Sequence, residues 1–244
     1  MSLLLFMNIY ETDKLLAEYL LFHFAKPEEI LPWEFGPREA LDYPVRVADY
    51  FSKNQAKRGL DIGCAVGRSS YEMSRSCEEV IGIDYSHAFA DAAEEIKKAP
   101  RRIPRLEEAH QNTELTVSLP EGIEPARCHF EQGDAMNLRE DLGTFDRVLA
   151  ANLICQLTHP EKFLSRLPSL VNSGGEVVLA TPCTWLEDFT PPENWPQGHT
   201  LDWLKETLAE NFELVEEANE PFLIRETARK FQWTVALVTK WRRR

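Results

Sequence analysis

The chain has few of the features that would mark a redox, metal or polyanion-binding protein. Its five cysteines, Cys64, Cys77, Cys128, Cys155 and Cys183, are odd in number, widely spread and never in a C-x-x-C pair. That spacing suggests neither a disulfide framework nor a zinc site and makes a reducing cytoplasm the default compartment. The six histidines include no H-x-x-x-H pair, so no metal is expected. Positive charge is scarce: 27 Lys and Arg face 40 Asp and Glu, a formal charge of −13. A surface of that sign repels phosphate backbones and anionic membranes, and the one basic cluster, the terminal WRRR, reads as a solvated strand end. No nucleic-acid or membrane partner is expected. Long apolar runs are also missing: the opening MSLLLFM is too short to span a bilayer, lacks the marks of a signal peptide, and reads as an addition ahead of Met7. No internal repeat or low-complexity tract is visible.

What is present is ordinary globular composition, 43% hydrophobic over 244 residues, enough for one sizeable core. The expectation is one domain over residues 1–244, with a helical cap over 1–55 and a core over 56–244. In the cap, ETDKLLAEYLLFHF places Leu15, Leu16, Tyr19, Leu20 and Phe22 at helical spacing behind Thr12 and Asp13, and Pro27 closes the helix. LPWEFGPREALDYPVRVADYF then mixes Pro, Gly and aromatics before a second helix near residues 45–51. From GLDIG onward, short apolar runs alternate with helical patterns, the signature of parallel strands joined by crossover helices. ELVEEANE and FQWTVALVTKW close the chain as an antiparallel pair. The predicted fold is α/β: a doubly wound, mostly parallel seven-stranded sheet with an antiparallel last strand. Residues 99–126 and 183–200 interrupt the pattern and read as long functional or disordered loops.

The stretch RGLDIGCAVGRSS carries the strongest local signal. Gly63, Ala65 and Gly67 stand at alternate positions directly after a strand that contains Asp61. In an open parallel sheet this first strand-to-helix turn lies closest to a ligand, and bare backbone permits close approach. A dinucleotide fingerprint would want glycine where Arg68 stands, and a P-loop would need G-K-[ST], which is absent. The D-x-G-x-A-x-G pattern resembles motif I of the S-adenosylmethionine-dependent methyltransferases with the seven-strand Rossmann-like fold. That resemblance implies S-adenosylmethionine as cofactor. It implies ribose recognition by Asp84 at the end of the second strand, with Tyr85 beside it. It places Asp134 and Ala135, after the third strand, at the adenine. Asp61, Gly63, Cys64, Ala65 and Gly67 form the turn, and Asn152, after the fourth strand, meets the junction of cofactor and substrate.

A closer resemblance rests on YETDKLLAEYLLFHF, LPWEFGPREALDYPVR, GTFDRVLAANLI, LPSLVNSGGEVVLATPCTWLEDFTPPENW and PFLIRETARKFQW. Together these are similar to the 4-mercaptohistidine N1-methyltransferase family of ovothiol biosynthesis. The family commonly occurs fused to an iron-dependent sulfoxide synthase, so the resemblance implies a separate synthase as partner and 5-thiohistidine, a small histidine derivative, as substrate. For such an acceptor Asn152 is the catalytic candidate, able to fix the imidazole plane through an amide that both donates and accepts. Tyr10, Glu11 and Glu34 are candidates to meet the ring or amino group, and Arg46 and Arg225 to grip the carboxylate through paired hydrogen bonds. Trp185 and Trp195, with Trp33 and Phe35 in the cap, are candidates to exclude water and stack on the ring. Two alternatives stand beside this reading: an enzyme of the same fold acting on another small amine, imidazole or thiol, and a non-catalytic cofactor-binding partner of a sulfoxide synthase.

Overall fold

The central strands bury both faces, and their side chains alternate between two cores with the period of two that a pleated strand imposes. In β6 (Phe145–Ala151) and β7 (Val171–Thr181), Val148, Ala150, Val177 and Leu179 enter one core, whereas Leu149, Val178 and Ala180 enter the other. The computed structural model describes residues 9–244, so the MSLLLFM run lies outside the described residues. The chain starts with helices α1 (Asp13–Phe24), α2 (Pro27–Ile30) and α3 (Tyr43–Asp49). It continues through β1 (Ala56–Ile62), α4 (Arg68–Met73), β2 (Cys77–Asp84) and α5 (His87–Ile96). After β5 (Cys128–Gln132) and β6 come α6 (Pro160–Leu170), β7, α7 (Thr200–Leu208), β8 (Phe212–Arg225) and β9 (Phe231–Arg243).

These strands form a seven-stranded sheet in the order β5-β2-β1-β6-β7-β9-β8, in which β9 alone runs antiparallel to its neighbours. Helices α6 and α7 cover one face, and α4, α5 and the N-terminal helices the other. This is the expected α/β arrangement, with its switch point between β1 and β6.

One expectation is corrected. Residues 99–126 are not a long loop: they contain the antiparallel hairpin β3 (Arg101–Glu108) and β4 (Gln111–Val117), a separate two-stranded sheet that packs on α1. The 183–200 segment has only a short 3-10 turn, Pro192–Asn194.

The last hairpin overshoots the sheet. Thr181 at the end of β7 pairs with Leu237, yet β8 and β9 stay paired as far as Arg225 and Phe231. The overshoot of six residue pairs amounts to about 20 Å at strand rise. Its inner face seats the cap: the Phe222 ring lies 4.9 Å from Tyr43 and 6.2 Å from Phe22. The β3–β4 hairpin braces the same region, because the Arg105 guanidinium donates to the Glu29 carbonyl and the Ala228 amide donates to that of Glu107. The cap is therefore held above the carboxyl ends of the parallel strands, the edge where the candidate residues converge.

Candidate active site

The glycine turn follows β1 in a run of left-handed backbone: φ is 72° at Gly63, 47° at Ala65 and 89° at Gly67. Part of the reason for the two glycines is internal. A β-carbon on Gly67 would meet the Phe130 ring at 2.7 Å and Ala93 at 3.0 Å, and one on Gly63 would meet Leu153 at 3.0 Å. Ala65 has no such excuse. Its left-handed conformation, uncommon for a residue with a β-carbon, is held by an amide that donates to Asp84 Oδ2 at 2.8 Å. Cys64 is buried beneath the turn.

Two carboxylates lie under this turn without a cation. Asp61 is 2% exposed, and its Oδ2 accepts from the Ser70 hydroxyl at 2.6 Å. Burial pushes its pKa up to about 7; the Ser70 hydroxyl opposes the shift and the nearby Asp84 charge adds to it. Asp84 accepts from the amides of Ala65 and Ser86. Burial raises it to about 6, against the pull of those amides and with a further push from Glu11. Among the described residues neither has an ion-pair partner. Asp134 closes an Asx turn by accepting the Met136 amide on Oδ1 at 2.8 Å, beside buried Ala135, and Tyr85 stands 64% exposed on the same side.

Residues 10–12 strap this edge. The Tyr10 carbonyl accepts from the Ser86 hydroxyl after β2, and the Tyr10 hydroxyl donates to Gln156 Oε1 after β6 at 3.4 Å. Since β1 lies between β2 and β6, the strap crosses the tip that carries the glycine turn. Glu11, expected at the substrate, caps a helix: its carboxylate accepts the amides of His87 and Ala88 at the start of α5, where partial positive charge gathers. On the β6 side, Asn152 is also left-handed, at φ 55°, and its Oδ1 accepts from the Tyr43 hydroxyl at 3.1 Å.

The two arginines expected to grip a carboxylate both have carboxylate partners within the protein. Arg46 donates to Glu220 at 2.8 Å and to the carbonyls of Leu41 and Pro221, which fastens α3 to the overshooting hairpin. Arg225, 2% exposed, pairs with Glu107 at 2.6 Å and donates to the Glu29 carbonyl. Trp185 donates to Thr200 and packs edge-on against Trp203, and Trp195 donates to the Thr190 carbonyl. Glu34 is exposed between Trp33 and Phe35, whose rings stack 5.7 Å apart where Trp33 binds the Ala228 carbonyl. Of the residues expected from sequence, the fold thus gathers Asp61, the glycine turn, Asp84, Tyr10 and Asn152 at one edge. Sequence reasoning missed Ser70, Gln156 and Tyr43. Only Tyr43 left a trace, as one aromatic among many in the cap segment.

The sequence matches the methyltransferase domain family over residues 33–233. A tRNA U34 carboxymethyltransferase of Alcanivorax borkumensis is 28% identical over 166 residues, covering 62% of this chain and 44% of that protein. Its counterpart from Mannheimia succiniciproducens is 25% identical over 166 residues, covering 63% and 44%. The chain therefore spans less than half the length of these relatives. Among solved structures, the N-methyltransferase NodS from Bradyrhizobium japonicum, in complex with S-adenosyl-L-homocysteine, aligns with a TM-score of 0.55 at 15% identity, over 93% of this chain and 98% of that one. A structure described as converting a disulfide bond into a thioacetal group during echinomycin biosynthesis aligns at 0.56 and 16% identity, over 91% and 90%. These two likenesses concern the fold.

Proposed function

The chain belongs to the methyltransferase domain family, and from that premise we propose that it methylates a small histidine-derived acceptor, the ring nitrogen of 5-thiohistidine, to give ovothiol A. That it is an S-adenosylmethionine-dependent methyltransferase follows from the family; the acceptor is the proposal. The observation that carries the cofactor reading is the pair of carboxylates, buried Asp61 and half-buried Asp84, with no cation beside them among the described residues. Such groups are costly unless a ligand supplies donors or positive charge. Asp84, whose hydrogen-bond partners are backbone amides, retains lone pairs that suit neutral hydroxyl donors such as those of a ribose. Asp134 keeps its second oxygen for an exocyclic amino group, and the left-handed turn above Asp61 suits a cationic end. When bound, S-adenosylmethionine supplies an electrophilic methyl group on a sulfonium.

The residues of the chain then have to orient the acceptor and exclude water. The strap and the cap roof the edge, Asn152 offers an amide to an acceptor ring, and no strong base is needed for a neutral azole nitrogen, which already carries its lone pair. The gain lies in positioning, the larger share of the barrier in such displacements. A formal charge of −13 favours a small molecule over a polynucleotide. The family resemblance of the terminal segments favours thiohistidine among small molecules.

The test is mass spectrometry of mixtures of the protein and S-adenosylmethionine with 5-thiohistidine, histidine or total tRNA. The expected result is a ring-N-methylated thiol and no modified tRNA. Modification of tRNA with thiohistidine untouched would move the protein to the chemistry named in its curated relatives.

A further inference from the structure

The Tyr43–Asn152 pair has a polarity, and that polarity selects the acceptor. Tyr43 is 2% exposed, and its hydroxyl has no partner among the described residues except Asn152 Oδ1. Burial holds the phenol well above its ordinary pKa, so it stays protonated and must donate. A buried hydroxyl with one neighbour donates to it, because the opposite orientation would leave its proton unpaired. The Asn152 amide is thereby turned one way: its oxygen is occupied, while Nδ2 has no hydrogen-bond partner among the described residues and is not a buried atom, so it faces open space. The left-handed backbone at Asn152, anchored by its own amide on the Ala180 carbonyl at 2.8 Å, holds the side chain at the end of β6. Gln156 repeats the arrangement more loosely, its oxygen accepting from Tyr10 at 3.4 Å.

We propose that Tyr43 is a positioning residue that fixes Asn152 as a hydrogen-bond donor toward the acceptor molecule, and that the group received there carries a lone pair and no proton. The class that fits is a thiolate or an unprotonated azole nitrogen; an ammonium or a ring N–H is refused. Resting on the thiohistidine reading, this assigns the Asn152 contact to the sulfur. Donation to a thiolate lowers its nucleophilicity, so the contact that orients the ring also disfavours methylation at sulfur and leaves the ring nitrogen free to react.

The experiment measures binding of 5-thiohistidine by calorimetry at pH 8 to the S-adenosyl-L-homocysteine complex of the wild type, Tyr43→Phe, Asn152→Ala and Asn152→Asp. It also follows the Asn152 side-chain amide in ¹H–¹⁵N spectra, assigned by its loss in Asn152→Ala. Tyr43→Phe keeps the ring that packs on Phe22 and Phe222. It should displace the Asn152 amide signals and weaken binding by about three- to tenfold. Asn152→Asp should bind at least about threefold more weakly than Asn152→Ala, because a carboxylate repels a lone-pair group that a methyl merely ignores. Asp equal to or tighter than Ala would overturn the donor assignment, and unchanged amide signals in Tyr43→Phe would overturn the positioning role. Failure of the wild type to bind thiohistidine would instead sink the substrate reading, and the amide signals would still decide the role of Tyr43.

Discussion

The two edges of the sheet treat buried charge in opposite ways. At the amino ends of the strands, Glu176 receives Lys240 at 2.9 Å and both the hydroxyl and the amide of Ser52. Burial alone would push Glu176 up, yet Ser52 and Lys240 together hold it below its ordinary range. Asp146 is lowered in the same manner by Asn172 and by the amides of Arg58 and Lys57, against burial. Arg147, 2% exposed, is taken up by the carbonyls of Ser52 and Asn54. At the carboxyl ends, buried Asp61 and half-buried Asp84 have no cation among the described residues, and both are raised. One edge is complete within the protein. The other is complete only with a ligand, and the contrast separates structural from functional charge without reference to any relative.

The contrast breaks first at the amino edge. Glu176→Gln strands Lys240, which is 7% exposed. Removing one partner of a buried pair costs about 3 kcal/mol, and in a chain of this length that should lower the thermal midpoint by about 6–12 °C. Cofactor affinity of the folded fraction should be unchanged. Asp84→Ala should do the reverse in calorimetry: loss of two charge-assisted hydrogen bonds weakens S-adenosylmethionine about a hundredfold, roughly 2.7 kcal/mol. A Glu176 variant that loses affinity, or an Asp84 variant that keeps it, would erase the distinction.

The edges should also respond to pH with opposite sign. For Asp61 and Asp84, raised above the unfolded value, stability is fully present below pH 4 and is lost as pH rises toward about 6 and about 7. The ligand-free midpoint should therefore fall from about pH 4 to about pH 7 and level off above, and Asp61→Asn should flatten that fall. For Glu176, held low, the contribution is present above its ordinary range and lost only as pH drops through the depressed value. Thermal scans over pH 3.5–8 distinguish the two limbs. The smallest effect concerns the strap. Glu11→Ala removes one of two caps on α5, the other being the Ser86 hydroxyl on the Phe89 amide. It should speed hydrogen exchange at His87 and Ala88 by about fivefold, in line with about 1 kcal/mol for a cap. Unchanged exchange would mean that the strap is not fastened through Glu11.

What could be read from the sequence followed the range of the interactions. The succession of strands and helices and the glycine turn were legible because a period of two and a five-residue spacing are local. The β3–β4 hairpin was not: of its fifteen strand residues only Ile103 and Val117 are buried, so no alternation marks it. The ion pairs of Arg46 and Arg225 were not legible, because their partners are far off in sequence, Glu220 at a separation of 174 and Glu107 at 118. Tyr43 and Asn152 meet across 109 residues, a pairing that no single-chain pattern predicts. Asp84 and Asp61 were legible as acids at strand ends, but their lack of a cation appears only in three dimensions.

The carboxyl edge is left short of positive charge for the cofactor to supply. Calorimetry of S-adenosylmethionine binding at pH 6.5, repeated in two buffers of different ionisation enthalpy, counts the protons exchanged. With Asp61 near 7 and Asp84 near 6 in the free protein, a bound cation should drive both toward the charged form. Release of about half a proton or more per cofactor is expected, sharply reduced in Asp61→Asn. Proton uptake, or release that survives that substitution undiminished, would contradict it.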